Sequence, residues 1–228
     1  MSRPQPPLAD AAPDFSLETA TGAGPAVCGV DEAGRGPWAG PVVAAAVILN
    51  RARVPAGIHD SKKLSAQRRA QLAPLIQAAA QVGVGIATAE EIDHLNIRAA
   101  TFLAMARAVA ALPRTPSLAL IDGRDAPDLG CRAQAVIKGD GRSLSIAAAS
   151  IIAKTTRDGI MMDMDRTYPG YGFARHKGYG TKAHRAALKT LGITPQHRKS
   201  FAPIRRLQDQ ILSPSADERL DLVSVNEG

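Results

Sequence analysis

Five short apolar runs mark the chain: AVCGV ending at Val30, PVVAAAVIL from Pro41, VGVGIAT from Val82, LALI ending at Ile121 and AQAVI ending at Ile137. Each is bounded by glycine, proline or polar residues, which predicts five strands. Elsewhere the apolar spacing becomes helical. Leu72, Leu75, Ile76 and Ala79 fall at i, i+3, i+4 and i+7 behind Ser65, a residue suited to an N-cap, with Pro74 as an expected kink. Thr88 and Glu91 have capping-box spacing and open a helix predicted to run to Val109, where LPRTP stops it. From Ser145 to Arg166, Ile146, Ala149, Ala153, Thr156, Ile160 and Met164 form one apolar face, and Ser150, Lys154 and Asp158 stack on another. PGYGFARHKGYGT reads as a loop, with a short helix from Lys182. Strands first, then strands mixed with helices, predict an α/β sheet with helices on its faces.

Composition narrows this picture. With 228 residues, 45% apolar and 21% charged, the chain predicts one domain, over 26–206, between tails at 1–25 and 207–228. The first tail is proline-rich, and the second is polar and acidic from Ser213. No apolar run approaches the roughly 18 residues of a membrane span. Residues 1–26 lack a basic segment followed by an apolar one, so no secretory signal is expected and the cytoplasm is the default location. Cys28 and Cys131 have no metal or disulfide spacing and are expected to be buried, reduced and inert. A net charge of +7 with a pI near 9.8 suits a polyanionic partner without specifying one.

Candidate chemistry lies where strands end. VDE places Asp31 and Glu32 after the first run, LIDG places Asp122 after the fourth, and VIKGD places Asp140 after the fifth. Carboxylates brought together at strand ends repel one another unless a cation neutralises them, and oxygen ligands of this kind suit Mg²⁺ or Mn²⁺ rather than zinc. For each Asp alone, a turn before glycine is the plain alternative. Successive side chains on a strand point to opposite faces, so Asp31 and Glu32 address one site only if the strand bends or ends, and Ala33-Gly34 supplies that ending.

The Gly34-Arg35-Gly36 segment allows close backbone approach to a ligand and leaves Arg35 free to meet an anion, though a tight surface turn reads the same. Gly34, Gly36 and Ala39 also fit G-x-G-x-x-A, but Pro37 and Pro41 interrupt the helix that a dinucleotide site requires. In HDSKKLS, two lysines and two hydroxyls beside a helix start have the chemistry of a phosphate contact, or of a solvated turn. Tyr168, Tyr171 and Tyr179 cluster with Phe173, Arg175, His176, Lys177 and Lys182, in a chain with only 4% aromatic residues. That mixture serves stacking on sugars or bases, or a small packed loop. His59, His94, His184 and His197 lack zinc spacing and read as surface residues, as do the turn and helix acids Asp125, Asp128, Asp163 and Asp165.

Taken in order from Ala26 to Arg206, VDEAGRGPWAGPVVAAAVIL, DSKKLS, EEIDHLNIRAAT, LIDG, VIKGD, SIAAASIIAKTTRD and YGFARHKGYGT closely resemble bacterial ribonuclease HII, the type 2 ribonuclease H family. Trp38 departs from it, standing where the family more often has a smaller aliphatic residue. The resemblance implies a ribonuclease H-like fold: a mixed five-stranded sheet flanked by helices, with a C-terminal helical segment. It implies hydrolysis of the RNA strand of RNA–DNA hybrids and cleavage 5′ of ribonucleotides embedded in duplex DNA, leaving 3′-hydroxyl and 5′-phosphate ends. Asp31, Glu32, Asp122 and Asp140 match the acidic residues that hold two divalent ions, Mn²⁺ or Mg²⁺, one generating the hydroxide nucleophile and the other stabilising the leaving 3′-oxygen. Gly34, Arg35 and Gly36 match the segment that senses the ribose 2′-hydroxyl, and Tyr179 the tyrosine that stacks on the adjoining deoxyribose. Ser61, Lys62, Ser150 and Lys154 match regions that hold the backbone. No membrane and no small-molecule cofactor are expected, and a monomer is the default. Two rivals are a different metal-dependent nuclease or phosphotransferase acting on DNA, and a basic nucleic-acid-binding module whose acids serve only in turns.

Overall fold

The computed structural model describes residues 12–24 and 26–212; the remaining parts of the expected tails, 1–11, 25 and 213–228, lie outside the described residues. Five strands form one sheet: β1 (Val27–Ala33), β2 (Val42–Leu49), β3 (Ala80–Ala87), β4 (Leu118–Asp122) and β5 (Ala133–Val136), in the order β3-β2-β1-β4-β5. All five lie on the apolar runs. β2 pairs antiparallel with β1 and β3, whereas β1–β4 and β4–β5 are parallel. The sheet is therefore mixed, and its three parallel strands finish at the same end.

The helices among the described residues are α1 (Ser16–Ala20), α2 (Ala66–Ala79), α3 (Ala89–Leu95), α4 (Ile97–Ala110), α5 (Leu144–Thr167), α6 (Phe173–His176), α7 (Lys182–Leu191) and α8 (Ala202–Leu212). They cover the sheet on both faces, which is why β2 is buried along its whole length. Even-numbered residues of β1, Cys28 and Val30, pack with Ala100, Ala104 and Ala108 of α4. Across the sheet, Ala45 and Val47 pack with Ala148, Ile151 and Ile152 of α5 and with Leu72 and Ile76 of α2. Each fully buried Ile or Leu here contributes about 1.5–3 kcal/mol. At Gly29 the start of α5 rests on the strand backbone itself, since a Cβ there would overlap Ser145 and Ile146. That close approach sets α5 beside the end of β1. No helix among the described residues is long and apolar enough to cross a membrane.

Several expectations are corrected. The helix predicted from Thr88 to Val109 is two, because Asn96 adopts φ 71° and its side chain accepts from the Arg98 and Ala99 amides, capping α4. Leu75 is 52% exposed, so the apolar face of α2 rests on Leu72 and Ile76. Part of the expected N-terminal tail is structured: Glu18 on α1 is buried and accepts from Ser143 Oγ (2.7 Å) and the Ser145 amide (2.9 Å) at the start of α5. This is a carboxylate at the positive end of a 24-residue helix. At the other end, α8 continues past 206 to Leu212. The loop 169–181 contains a turn of helix, α6. His184 and His197 are fully buried rather than on the surface, and Cys131 is only partly buried while Cys28 is fully so.

Candidate active site

Asp31 and Glu32 occupy the last turn of pleat in β1, Asp122 ends β4, and Asp140 sits in the short 3-10 turn Gly139–Gly141 that follows β5. The common direction of β1, β4 and β5 thus delivers all four acids to one end of the sheet, the usual place for a site in a parallel arrangement. One oxygen from each of Asp31, Asp122 and Asp140 lies within 4.8 Å of the others. Asp31 and Asp140 are buried.

Backbone amides fix these carboxylates. The Glu32 amide donates to Asp31 Oδ1 at 2.7 Å, and the Gly139 amide to Asp122 Oδ1 at 2.7 Å. The second bond couples the end of β4 to the turn that carries Asp140. Lys62 Nζ donates to Asp140 Oδ2 at 3.0 Å, bringing one cation into the cluster.

Glu32 stands apart from the three aspartates. Asp31 pairs with Ala45 and Glu32 with Ala44, so β1 runs on as a regular strand through both and they project to opposite faces. No bend separates them. Both line one crevice because it opens at the sheet's end, and Glu32 is held there by Arg35 at 3.3 Å.

The crevice, about 260 Å³, is also lined by Gly34, Arg35 and Gly36, by Ser61, Lys62 and Lys154, and by Tyr179, a residue 48% exposed. A larger depression of about 520 Å³ between the ends of β2 and α2 gathers no acids and has no comparable chemistry. Ser150 does not reach the crevice. It is buried, accepts from the Ser61 amide at 3.2 Å and donates to the Ala147 carbonyl, so it supports the Ser61-Lys62 turn from beneath.

Three arginines belong to the site that sequence reasoning passed over. Arg69 lines the crevice and donates to the Ser61 and Leu64 carbonyls. Arg157, buried on α5, donates to the carbonyls of Ala39, Pro41 and Lys177. A Cβ on Gly34 (φ +96°) would overlap the Arg157 side chain, which is why glycine stands there. Arg198, also buried, donates to the carbonyls of Gly34, Arg35 and Gly40. Arg157 was within reach of the helical pattern, since it follows Ser150 and Lys154 at i+7 and i+3. Arg198 gave no local signal, because its partners lie more than 150 residues away in the chain.

The electrostatics follow from burial. Asp31 is raised well above the ordinary carboxylate range, first by desolvation and then by the charges of Glu32, Asp122 and Asp140. Glu32 is raised by burial against the opposing pull of Arg35, and Asp122 by burial and the Asp140 charge. Burial opposes the charge on Lys62, yet its bond to Asp140 and the surrounding acids leave it raised. Burial also lowers Arg157 to about 10 and Arg198 to about 9, and both remain cations at neutral pH. Crowded carboxylates with oxygen-only donors, resisting ionisation by mutual repulsion, fit a hard divalent cation such as Mg²⁺ or Mn²⁺.

A family model described as Ribonuclease HII matches residues 28–204. The chain belongs to the ribonuclease HII family. Ribonuclease HII of Parvibaculum lavamentivorans is 58% identical over 215 residues, covering 93% of this chain and 78% of that one. Ribonuclease HII of Rhizorhabdus wittichii is 59% identical over 194 residues, covering 85% and 95%. The crystal structure of ribonuclease H2 from Pyrococcus horikoshii OT3 superposes with a TM-score of 0.69 at 25% identity, covering 82% of this chain and 99% of that one. Membership of the ribonuclease HII family makes the chain a metal-dependent ribonuclease and supports endoribonuclease activity on RNA–DNA hybrids. The mixed five-stranded sheet with flanking helices is the fold expected from the resemblance.

Proposed function

We propose that the chain hydrolyses the RNA strand of RNA–DNA hybrids and cuts on the 5′ side of ribonucleotides embedded in duplex DNA, leaving 3′-hydroxyl and 5′-phosphate ends. The observation that carries this reading is that one crevice is lined by Asp31, Glu32 and Asp122, with Asp140 within 4.8 Å of the two aspartates, and also by the Gly34-Arg35-Gly36 turn and Tyr179. Cutting chemistry and a test for the sugar are thereby adjacent.

Asp31, Asp122 and Asp140 would hold the cations, and Glu32 completes the acidic set from the opposite face of β1. When bound, two divalent ions, Mn²⁺ or Mg²⁺, supply activation of water and stabilisation of the leaving 3′-oxygen. The protein's own groups position the strand. Backbone atoms of Gly34–Gly36 face the ribose 2′-hydroxyl, the one group that separates RNA from DNA. Tyr179 offers an exposed aromatic face to the adjoining deoxyribose. Lys62, Lys154 and Arg35 meet phosphates, with Ser61 presenting its hydroxyl and Ser150 bracing the turn beneath it. A binding module whose acids serve only in turns is disfavoured by the burial of Asp31 and Asp140, since such turns leave carboxylates in water.

Asp31→Asn and Asp122→Asn test the assignment. Each is expected to lower turnover in Mg²⁺ by about 10²–10³-fold, the scale of losing a charge-stabilising group. Hybrid binding in EDTA should persist. Either variant cutting at the wild-type rate overturns the reading.

A further inference from the structure

We propose that the dipeptide His197-Arg198 is a positioning pair that fixes the separation between the ribose-reading turn and Tyr179, and so sets the preference for a ribonucleotide adjoining a deoxyribonucleotide. The proposal rests on the sugar-reading roles given above to Gly34–Gly36 and Tyr179.

Arg198 governs the first element. Its Nη2 and Nη1 donate to the Gly34 and Arg35 carbonyls at 2.6 and 2.9 Å, its Nε to Gly40 at 2.9 Å, and its own amide to the Trp38 carbonyl at 2.8 Å. Among the described residues it has no ion pair with a carboxylate, although it is fully buried. Burying a cation on carbonyls and one aromatic face, that of Phe201 at 5.2 Å, without a carboxylate is costly, whereas a rigid fork on consecutive carbonyls sets the attitude of a glycine-rich turn.

His197 governs the second element, through His184. The Thr194 amide donates to His197 Nδ1 at 2.9 Å, which leaves the ring proton on Nε2. That Nε2 meets His184 Nε2 at 3.0 Å, so it donates and His184 accepts. His184 therefore carries its proton on Nδ1, which donates to the Tyr179 carbonyl at 3.0 Å. The partners assign one tautomer to each ring, and both ring nitrogens of His184 and of His197 have a partner. A single direction of donation thus runs from Thr194 to the backbone of Tyr179. The two elements abut, since a Cβ on Gly36 would lie 3.5 Å from Tyr179 Cε1. Adjacent residues of one loop, bridged to Ala39 at His197, therefore grip both sugar readers.

The amide side chains separate this role from packing. Asn places its polar atoms near Nδ1 of histidine and Gln near Nε2. At position 197, His197→Gln keeps the donor to His184 and His197→Asn loses it. At position 184 the order reverses, because His184→Asn keeps the donor to Tyr179 and His184→Gln loses it. The readout is the ratio of kcat/KM on a duplex with one ribonucleotide to kcat/KM on a continuous RNA–DNA hybrid. Each variant is compared at a temperature where circular dichroism shows it folded.

His197→Asn and His184→Gln are expected to lower that ratio about tenfold, equivalent to one lost hydrogen bond. The opposite variants should stay near wild type. Arg198→Lys, which loses the fork, is expected to lower kcat on both substrates about tenfold with affinity for an all-DNA duplex unchanged. Simple space-filling favours Gln at both positions; that order, or ratios tracking melting temperature alone, overturns the proposal, as does wild-type cleavage by Arg198→Lys. Tyr179→Ala serves as a separate control. An unchanged ratio there refutes the sugar-reading role itself, whereas a shifted ratio there with none in the histidine variants refutes only the pairing.

Discussion

Asp31 concentrates the conflict on which the site is built. Its carboxyl is buried beside Glu32, Asp122 and Asp140, and it is raised well above the usual 3.8 by desolvation and their charges. Without a cation, the folded chain holds a proton that the unfolded chain releases at lower pH. The stability linked to that proton is full below the ordinary carboxyl range and is lost as pH rises through the raised value. Asn cannot ionise. Metal-free Asp31→Asn is therefore expected to melt several degrees above wild type at pH 7.5, at about 2–4 °C per kcal/mol for a chain of this size, with the gap closing toward pH 4. Melting in EDTA across that range checks it, and a lower melting point at pH 7.5 contradicts it. Residues such as Asp31, Asp122 and Asp140 were legible in the sequence because each follows its own apolar run. Arg198 was not, because a guanidinium gripping distant carbonyls leaves no periodicity. His184 and His197 were misjudged as surface residues for a related reason: their partners are backbone groups and each other, which spacing does not reveal.

Among the elements, strands were more legible than helix limits. Apolar runs buried on both faces stand out against glycine and proline, so every strand fell on its run, whereas helix ends depend on single side chains and backbone angles. Asn96 divides one predicted helix by taking φ 71° and capping the next, a choice open to asparagine but disguised inside a continuous helical pattern. Glu18 caps α5 from a segment whose prolines suggested only a tail. In α2, periodicity gave Leu72 and Leu75 equal weight, yet the first is 0% exposed and the second 52%. Leu72→Ala is expected to cost about 2–5 kcal/mol and Leu75→Ala within about 0.5 kcal/mol, measured by urea unfolding. Equal losses would contradict the packing of this helix on α5.

For the molecule as a whole, the excess of +7 acquires a place. Arg35, Lys62, Arg69, Lys154 and Arg157 surround acids in the same crevice, a cationic rim suited to a phosphate backbone around a site suited to cations. The sheet supplies the acids, α5 and the Ser61-Lys62 turn contribute to the rim, and the proposed sugar contacts come from Gly34–Gly36 and Tyr179. Cutting and recognition then depend on one another through the shared end of β1, where Asp31 and Glu32 run directly into the Gly34–Gly36 turn. The most direct measurement is cleavage, in Mg²⁺ and separately in Mn²⁺, of a duplex containing one ribonucleotide beside its all-DNA counterpart. Cleavage at the 5′ side of the ribonucleotide, with 3′-hydroxyl and 5′-phosphate ends and an intact all-DNA control, is the predicted result. Equal cutting of both duplexes, or of neither with either metal, would contradict it.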